Sequence, residues 1–194
     1  MIERRRLLIG AAISLCAPAL LTSGAAAQTG QAVTPKLPRH LRRREVDINP
    51  AVPAGLLIVK QSDFHLYWTL GNARAIRYGI ALGADGRNFT GDAFIARKAE
   101  WPSWKPTANM VQLEPAVYGP YRNGLPGGHP MNPLGSRALY MYQNGRDTFY
   151  RVHGTHLPHT IGQGFSSGCV RLRNEDMNHL YDLVPVGTRI TVQA

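Results

Sequence analysis

The stretch from His153 to Asn174 decides how this chain is interpreted, and its sequence is HGTHLPHTIGQGFSSGCVRLRN. The stretch begins with the imidazole of His153. The thiol of Cys169 follows after a run that contains several glycines. Such a run can fold back and bring the two side chains together. Because only the thiolate form of cysteine attacks carbon, and a free thiol has a pKa near ~8.5, a histidine that takes the proton activates it. The stretch therefore predicts a cysteine acyl-transfer site built on a thiolate–imidazolium pair.

The glycine before the cysteine adds a second element of such a site. Gly168 permits a tight turn directly before Cys169. Backbone N–H groups at a turn of this kind can point at the oxyanion that develops when a carbonyl is attacked. The turn is therefore a candidate oxyanion hole.

The composition is that of a small globular protein. The chain has 194 residues, enough for one domain with extensions, and its 20 glycines and 14 prolines favour a turn-rich β protein over a helical bundle. The net charge of +10 suits an acidic polymer or an anionic surface. No nucleic-acid-binding motif accompanies that charge, so DNA and RNA are not expected as partners.

Residues 1–27 are predicted to be an export signal. Three arginines, Arg4 to Arg6, precede an apolar run, and the alanines at 25–27 fit a small-residue cleavage site. The apolar run is shorter than the ~20 residues that cross a bilayer, so no stable membrane span is expected in the mature form; a retained N-terminal anchor is the alternative. The export route, Sec or twin-arginine, stays open. We expect a periplasmic protein whose single cysteine is Cys169, since Cys16 leaves with the signal.

Residues 28–54 are predicted to be a linker, and residues 55–194 the catalytic domain. Four prolines discourage regular structure in the linker. Its arginine cluster between residues 39 and 44 is interpreted as a solvated charge run, with a wall- or membrane-facing patch as the alternative.

Short apolar or alternating runs from residue 55 onward predict a mainly β fold, arranged as a sandwich or barrel. The pair Asn144-Gly145 suits a hairpin turn, which places His153 at the end of the returning strand. After Cys169 the period becomes helical. Asn174 is predicted to cap a short helix, whose buried stripe consists of Met177, Leu180, Tyr181 and Val184.

The ordered motif His153-Gly154, followed by Ser166-Ser167-Gly168-Cys169-Val170-Arg171, resembles the L,D-transpeptidase catalytic domain (YkuD-like) family. That family has His followed by Gly or Ser, and some 14–17 residues later Ser/Thr-His-Gly-Cys, an aliphatic residue and Arg or Asn. Ser167 stands where many members have His. The Pro-x-Trp-x-Pro segment at 102–106 and the Asn-Pro-Leu-Gly segment at 132–135 resemble the same family, and the 122–135 loop is expected to form part of a substrate cleft. The resemblance spans roughly residues 55–192.

The resemblance implies an enzyme that acts on peptidoglycan stem peptides without a cofactor or metal. Cys169 would attack the carbonyl at the L-centre of diaminopimelate in a tetrapeptide stem and release D-alanine, while His153 shuttles the proton. The Gly154 carbonyl would orient the imidazole, as the third member does in other triads. Backbone N–H groups of Ser167 to Cys169 would hold the oxyanion.

Two further residues and the acceptor follow from the same resemblance. Arg171 would bind a stem carboxylate or form a structural ion pair, and Ser166 is a candidate substrate-binding residue. The acyl group would pass to an amine of a second stem or of an outer-membrane protein. Transfer to water instead would make the enzyme an L,D-carboxypeptidase or hydrolase with the same residues.

Two interpretations from other classes remain open at this point. His153, His156 and His159 recur every third residue, and together with Cys169 they offer zinc ligands. Alternatively, the basic charge alone would permit a catalytically silent wall-binding module. The intact pair of His153 and Cys169 favours the enzyme.

Overall fold

The computed structural model describes residues 36–84, 87–166 and 168–194, and within them strands predominate. The strands β1 to β11 are, in chain order, Arg44–Asp47, Leu57–Lys60, His65–Gly71, Arg74–Gly79, Leu82–Gly83, Gly91–Glu100, Arg137–Gln143, Arg146–His153, Gly164–Ser166, Val170–Arg171 and Arg189–Gln193. The helices α1 to α3 are Ala108–Leu113, Pro115–Tyr118 and Asn174–Leu183. Short 3-10 turns occupy Arg39–Leu41, Gly119–Tyr121 and Pro158–Thr160.

Nine strands form one sheet in the order β1-β4-β3-β2-β11-β6-β7-β8-β10, and β5 pairs with β9 in a second, two-stranded sheet. Most neighbours are antiparallel, but β11 runs parallel to β2 and β10 runs parallel to β8. The predicted fold class, mainly β with a short helix after Cys169, is confirmed.

The core lies between the large sheet and α3. Strands β2 and β11 alternate buried and more exposed residues, as the two-residue period of a half-buried strand requires. From the helix, Met177, Leu180 and Val184 are fully buried in the same cluster, and Tyr181 packs against it. The predicted helical stripe is thus confirmed.

The predicted hairpin is also present, as β7 and β8 joined by Asn144-Gly145. Both turn residues have positive φ, 50° and 74°, which is the requirement that Asn-Gly satisfies. The hairpin carries the chain directly to His153, the last residue of β8.

Asn174 has a different role from the predicted helix cap. It is the first residue of α3, and its Oδ1 accepts hydrogen bonds from the backbone N–H groups of Ser136 and Thr155, at 3.2 and 3.1 Å. The side chain thereby fastens the start of α3 to the segment that follows His153. A short amide satisfies whichever backbone donors come nearest, and here tertiary contacts supply them.

The described part of the predicted linker is attached to the sheet. Residues 44–47 form β1, which pairs antiparallel with β4, and Leu37 and Leu41 are buried against Ala81 and Ile161. The prolines at 38 and 50 lie outside β1, so that strand keeps its backbone donors. The expectation of irregular structure is therefore wrong for residues 44–47, while the domain boundary itself stays a prediction.

The predicted export signal, residues 1–27, lies outside the described residues. Within the described ranges, none of the helices is long and apolar enough to cross a bilayer.

Candidate active site

Strands β8 and β10 bring the two predicted reacting residues together. In their parallel pairing, Val152 lies beside Val170 and His153 beside Arg171. Cys169 immediately precedes β10, and its Sγ is 4.0 Å from the carbonyl oxygen of Phe149 on β8. The imidazole and the thiol therefore both lie at the C-terminal half of β8, although sixteen chain positions separate the two residues.

His153 is held in a defined orientation. The residue is 3% exposed, and its Nδ1 is 2.6 Å from the carbonyl oxygen of Gly154. Because a carbonyl only accepts hydrogen bonds, Nδ1 carries the proton that makes this contact. In the neutral ring, Nε2 is then the nitrogen able to accept a proton. This is the contact that was predicted for Gly154; its part in catalysis stays a prediction.

The electrostatics of the pair differ from the predicted thiolate–imidazolium form. Burial lowers the pKa of His153 to about 3, and the nearby charge of Arg171 acts in the same direction against the opposing hydrogen bond to Gly154. Burial likewise raises the pKa of the Cys169 thiol, although that residue keeps partial surface exposure. A low-dielectric site disfavours the charged form of both groups. The resting pair is therefore a neutral imidazole and a neutral thiol at pH 7.

Two arginines partly offset that burial at the cysteine. A backbone hydrogen bond from Arg151 and the charges of Arg151 and Arg171 all act to lower the pKa of Cys169. Arg151 is itself fixed by Asp147, whose two carboxylate oxygens lie 2.6 and 2.8 Å from its guanidinium nitrogens. Sequence reasoning missed Arg151 as a site residue. The signal was available, since Arg151 precedes His153 by two positions on one strand.

Arg171 lies deep in the site on β10. Its backbone exchanges two hydrogen bonds of 2.9 Å with Ala81, and burial lowers the pKa of its guanidinium. Its charge acts on His153 and Cys169 and interacts with Tyr118. Whether it also binds a substrate carboxylate stays a prediction.

The backbone before Cys169 requires a glycine. Gly168 has φ of +123°, and a Cβ there would lie 2.3 Å from the carbonyl oxygen of Arg87 and 2.7 Å from the ring of Tyr150. The Tyr150 hydroxyl donates to that same carbonyl at 3.1 Å, so the neighbours are fixed. Any side chain would displace them.

Two predicted site residues remain, Ser166 and Ser167. Ser166 belongs to β9, where it pairs with Gly83. Ser167 lies outside the described residues. The proposed oxyanion role of the turn therefore stays a prediction.

The 122–135 loop contributes to a polar cleft of about 380 Å³ next to this site, a size within the range typical of ligand pockets. The cleft is lined by Trp101, Gly128, His129, Pro130, Asn132, Gly135, Thr155, His156, Pro158, Arg173, Asn174 and Glu175. Trp104, in the Pro-x-Trp-x-Pro segment, packs against Tyr118 and Tyr121, whereas Trp101 is 55% exposed.

The zinc interpretation finds no ligand cluster among the described residues. Across 36–84, 87–166 and 168–194, no group of three or more His, Cys, Asp or Glu side chains is placed to hold a metal ion. His153 instead directs one ring nitrogen to Gly154.

Comparison with known proteins agrees with the motif. The chain belongs to the YkuD family, the L,D-transpeptidase catalytic domain, whose model matches residues 54–192. The probable L,D-transpeptidase YbiS of Escherichia coli K12 is 38% identical over 139 residues, which cover 69% of this chain and 43% of YbiS. The match thus spans less than half the length of that relative.

Two solved structures are also similar. A protein from Brucella melitensis, named a probable carnitine operon oxidoreductase, is 44% identical, with a TM-score of 0.55 over 78% of this chain and 92% of that one. L,D-transpeptidase 3 from Mycobacterium tuberculosis is 17% identical, with a TM-score of 0.52 over 73% of this chain and 62% of that one, and it shows the fold alone.

Proposed function

We propose that this protein is a peptidoglycan L,D-transpeptidase in which Cys169 is the nucleophile and His153 the base. Family membership supports action on peptidoglycan. The observation that supports this residue assignment is the pairing of β8 with β10, since His153 ends β8 and Cys169 directly precedes β10 with its Sγ 4.0 Å from a β8 carbonyl oxygen.

The first half-reaction follows from the protonation states. His153 is neutral at pH 7 and has an unprotonated Nε2, so it can take the thiol proton as the sulfur attacks. A C–S bond forms at the carbonyl of the diaminopimelate L-centre. The C–N bond to D-alanine then breaks, and the imidazolium returns the proton to the leaving amine. Arg151 and Arg171 favour the anionic sulfur while the proton is away from it.

The second half-reaction runs the same proton path in reverse. An acceptor amine attacks the thioester, gives up one proton to His153 and forms the new amide. The C–S bond breaks, and the sulfur recovers its proton. With a second stem as acceptor the product is a cross-link, and with an outer-membrane protein it is an anchored protein. With water the same residues give an L,D-carboxypeptidase, which is the alternative function.

Mass spectrometry of muropeptides tests the proposal. Walls exposed to the purified protein are digested and compared with walls exposed to Cys169→Ala, with His40→Gln as a control at an exposed residue that does not line the cleft. New cross-links that disappear only with Cys169→Ala support the transpeptidase, and shortened stems support the carboxypeptidase. Unchanged walls, together with no adduct on Cys169 from a labelled carbapenem-type probe, would support a silent binding module.

The location is part of the same proposal. The signal-like residues 1–27 and the wall substrate both call for a periplasmic protein. Mass spectrometry of the N-terminus in a periplasmic extract should find a chain that begins near Gln28. Intact residues 1–27 on a cytoplasmic protein would contradict it.

A further inference from the structure

Strand β8 carries a bulge directly beside Cys169. Between the pairs Tyr140–Arg151 and Tyr142–Asp147, β8 advances four positions while β7 advances two. Phe149 lies in this bulge with φ of +62°, in the left-handed region that bulky residues rarely occupy. Its side chain is nevertheless 70% exposed.

The surroundings impose this conformation. Asp147 Oδ1 accepts a hydrogen bond from the Phe149 N–H at 2.8 Å while the same carboxylate binds Arg151. Thr148 Oγ1 accepts from the Tyr150 N–H at 3.2 Å and donates to a β7 carbonyl at 2.6 Å. The bulge is therefore held by the side chains of Asp147 and Thr148, while the side chain of Phe149 is mostly exposed.

Phe149 thus combines two features that the fold does not need. An exposed phenyl ring gains little burial, and a glycine would adopt the same φ without steric cost. Residues held in such conformations cluster at functional sites. The position is close to the chemistry, since the Phe149 carbonyl oxygen is 4.0 Å from Cys169 Sγ. One substrate residue spans at most ~3.6 Å, so Phe149 lies within one or two substrate residues of the attacked carbonyl.

We propose that Phe149 determines donor specificity by packing its ring on the aliphatic side chain of the residue that Cys169 attacks. The inference rests on the proposed function. A phenyl ring has no hydrogen-bonding group, and it contributes mainly apolar contact area for methylene groups. The attacked diaminopimelate of a tetrapeptide stem carries such a methylene chain. The bulge places the backbone of Phe149 beside the sulfur and leaves its side chain 70% exposed, so the ring is accessible to a bound donor.

The test compares two donors and four variants. One donor is the natural tetrapeptide stem, and the other has alanine in place of diaminopimelate at the attacked position. The variants are Phe149→Gly and Phe149→Leu, with Ala73→Gly and Phe94→Ala as controls. Ala73 has a similar φ of +57° in the β3–β4 turn, and Phe94 is 53% exposed on β6. Ala73→Gly shows the effect of placing glycine at a position with positive φ away from the site. Phe94→Ala shows the effect of removing an exposed phenyl ring away from the site.

We expect Phe149→Gly to lower kcat/KM about tenfold for the natural donor, which is the effect of losing contact with two methylene groups. For the alanine donor, Phe149→Gly should match the parent within about twofold. Phe149→Leu should keep most of the activity. The unfolding midpoint of Phe149→Gly should be no lower than that of the parent, as for Ala73→Gly, because glycine tolerates positive φ.

Three outcomes would overturn the inference. Equal losses of kcat/KM for the two donors would mean that the ring does not contact the varied side chain. A change in the iodoacetamide labelling rate of Cys169 as large as the loss of turnover would mean that Phe149 acts through the sulfur. No loss with either donor would remove the role altogether. All three leave the proposed function intact, whereas an active Cys169→Ala would remove that function itself.

Discussion

Replacing His153 by glutamine should make the protein less sensitive to acid. The pKa of this imidazole is about 3 in the fold, against about 6.5 for an ordinary histidine. Between these values the unfolded chain binds a proton that the folded chain does not, so the free energy of unfolding rises with pH. The stability is complete above pH 6.5 and is lost as the pH falls towards 3. At pH 5 the loss is about 2 kcal/mol, from 1.5 pH units at about 1.36 kcal/mol each.

The assay is urea unfolding at pH 7 and pH 5, followed by tryptophan fluorescence. Glutamine stays neutral over this interval, so His153→Gln should lose about 2 kcal/mol less than the parent between pH 7 and pH 5. Other buried groups such as Asp176, whose pKa is raised by burial, titrate in both proteins and cancel in the difference. The exposed His129→Gln variant should behave like the parent. A difference below about 0.5 kcal/mol would show that His153 is not held neutral by burial, and would refute the reasoning.

Three further predictions concern the same region. The iodoacetamide labelling rate of Cys169, measured against pH, should have its midpoint above the value for a free thiol because burial raises the pKa; a midpoint below that value would restore the ion pair. Leu41→Ala should lower the free energy of unfolding in urea by about 2–3 kcal/mol, since this 4%-exposed side chain packs in the small cluster with Ile161. A loss below about 0.5 kcal/mol would mean that Leu41 does not stabilise the segment around Ile161. Gly168→Ala should abolish turnover and lower the unfolding midpoint, whereas Gly145→Ala, at a turn with open space, should affect stability alone; equal turnover in the two variants would contradict the tight turn before Cys169.

Local patterns in the sequence predicted much of the fold. The hairpin at Asn144-Gly145 and the buried stripe of α3 each depend on residues a few positions apart, and such signals survive folding unchanged. The placement of His153 at the end of a strand followed from the hairpin. The hairpin therefore also determines where His153 lies in the candidate site.

The features that sequence reasoning missed depend on contacts between distant segments. The sequence of residues 44–47 alone does not indicate that they pair with β4, because strand formation depends on contacts with the neighbouring strand. Asn174 has the residue type of a helix cap, but Ser136 and Thr155 compete for its oxygen. The bulge at Phe149 interrupts the two-residue period of β8, and it depends on the pairing of β8 with β7.

The protonation state of the pair is the clearest case of this limit. A histidine and a cysteine in one motif suggest an ion pair, because sequence shows proximity and not burial. His153 is 3% exposed, and burial is the largest cause that lowers its pKa and raises the pKa of Cys169, so both groups favour the neutral form. On the proposed mechanism, the sulfur then becomes anionic only as it reacts, with Arg151 and Arg171 beside it to favour that charge. Because charge that forms during the reaction is what a preorganised site stabilises most, the buried neutral pair is compatible with a competent nucleophile.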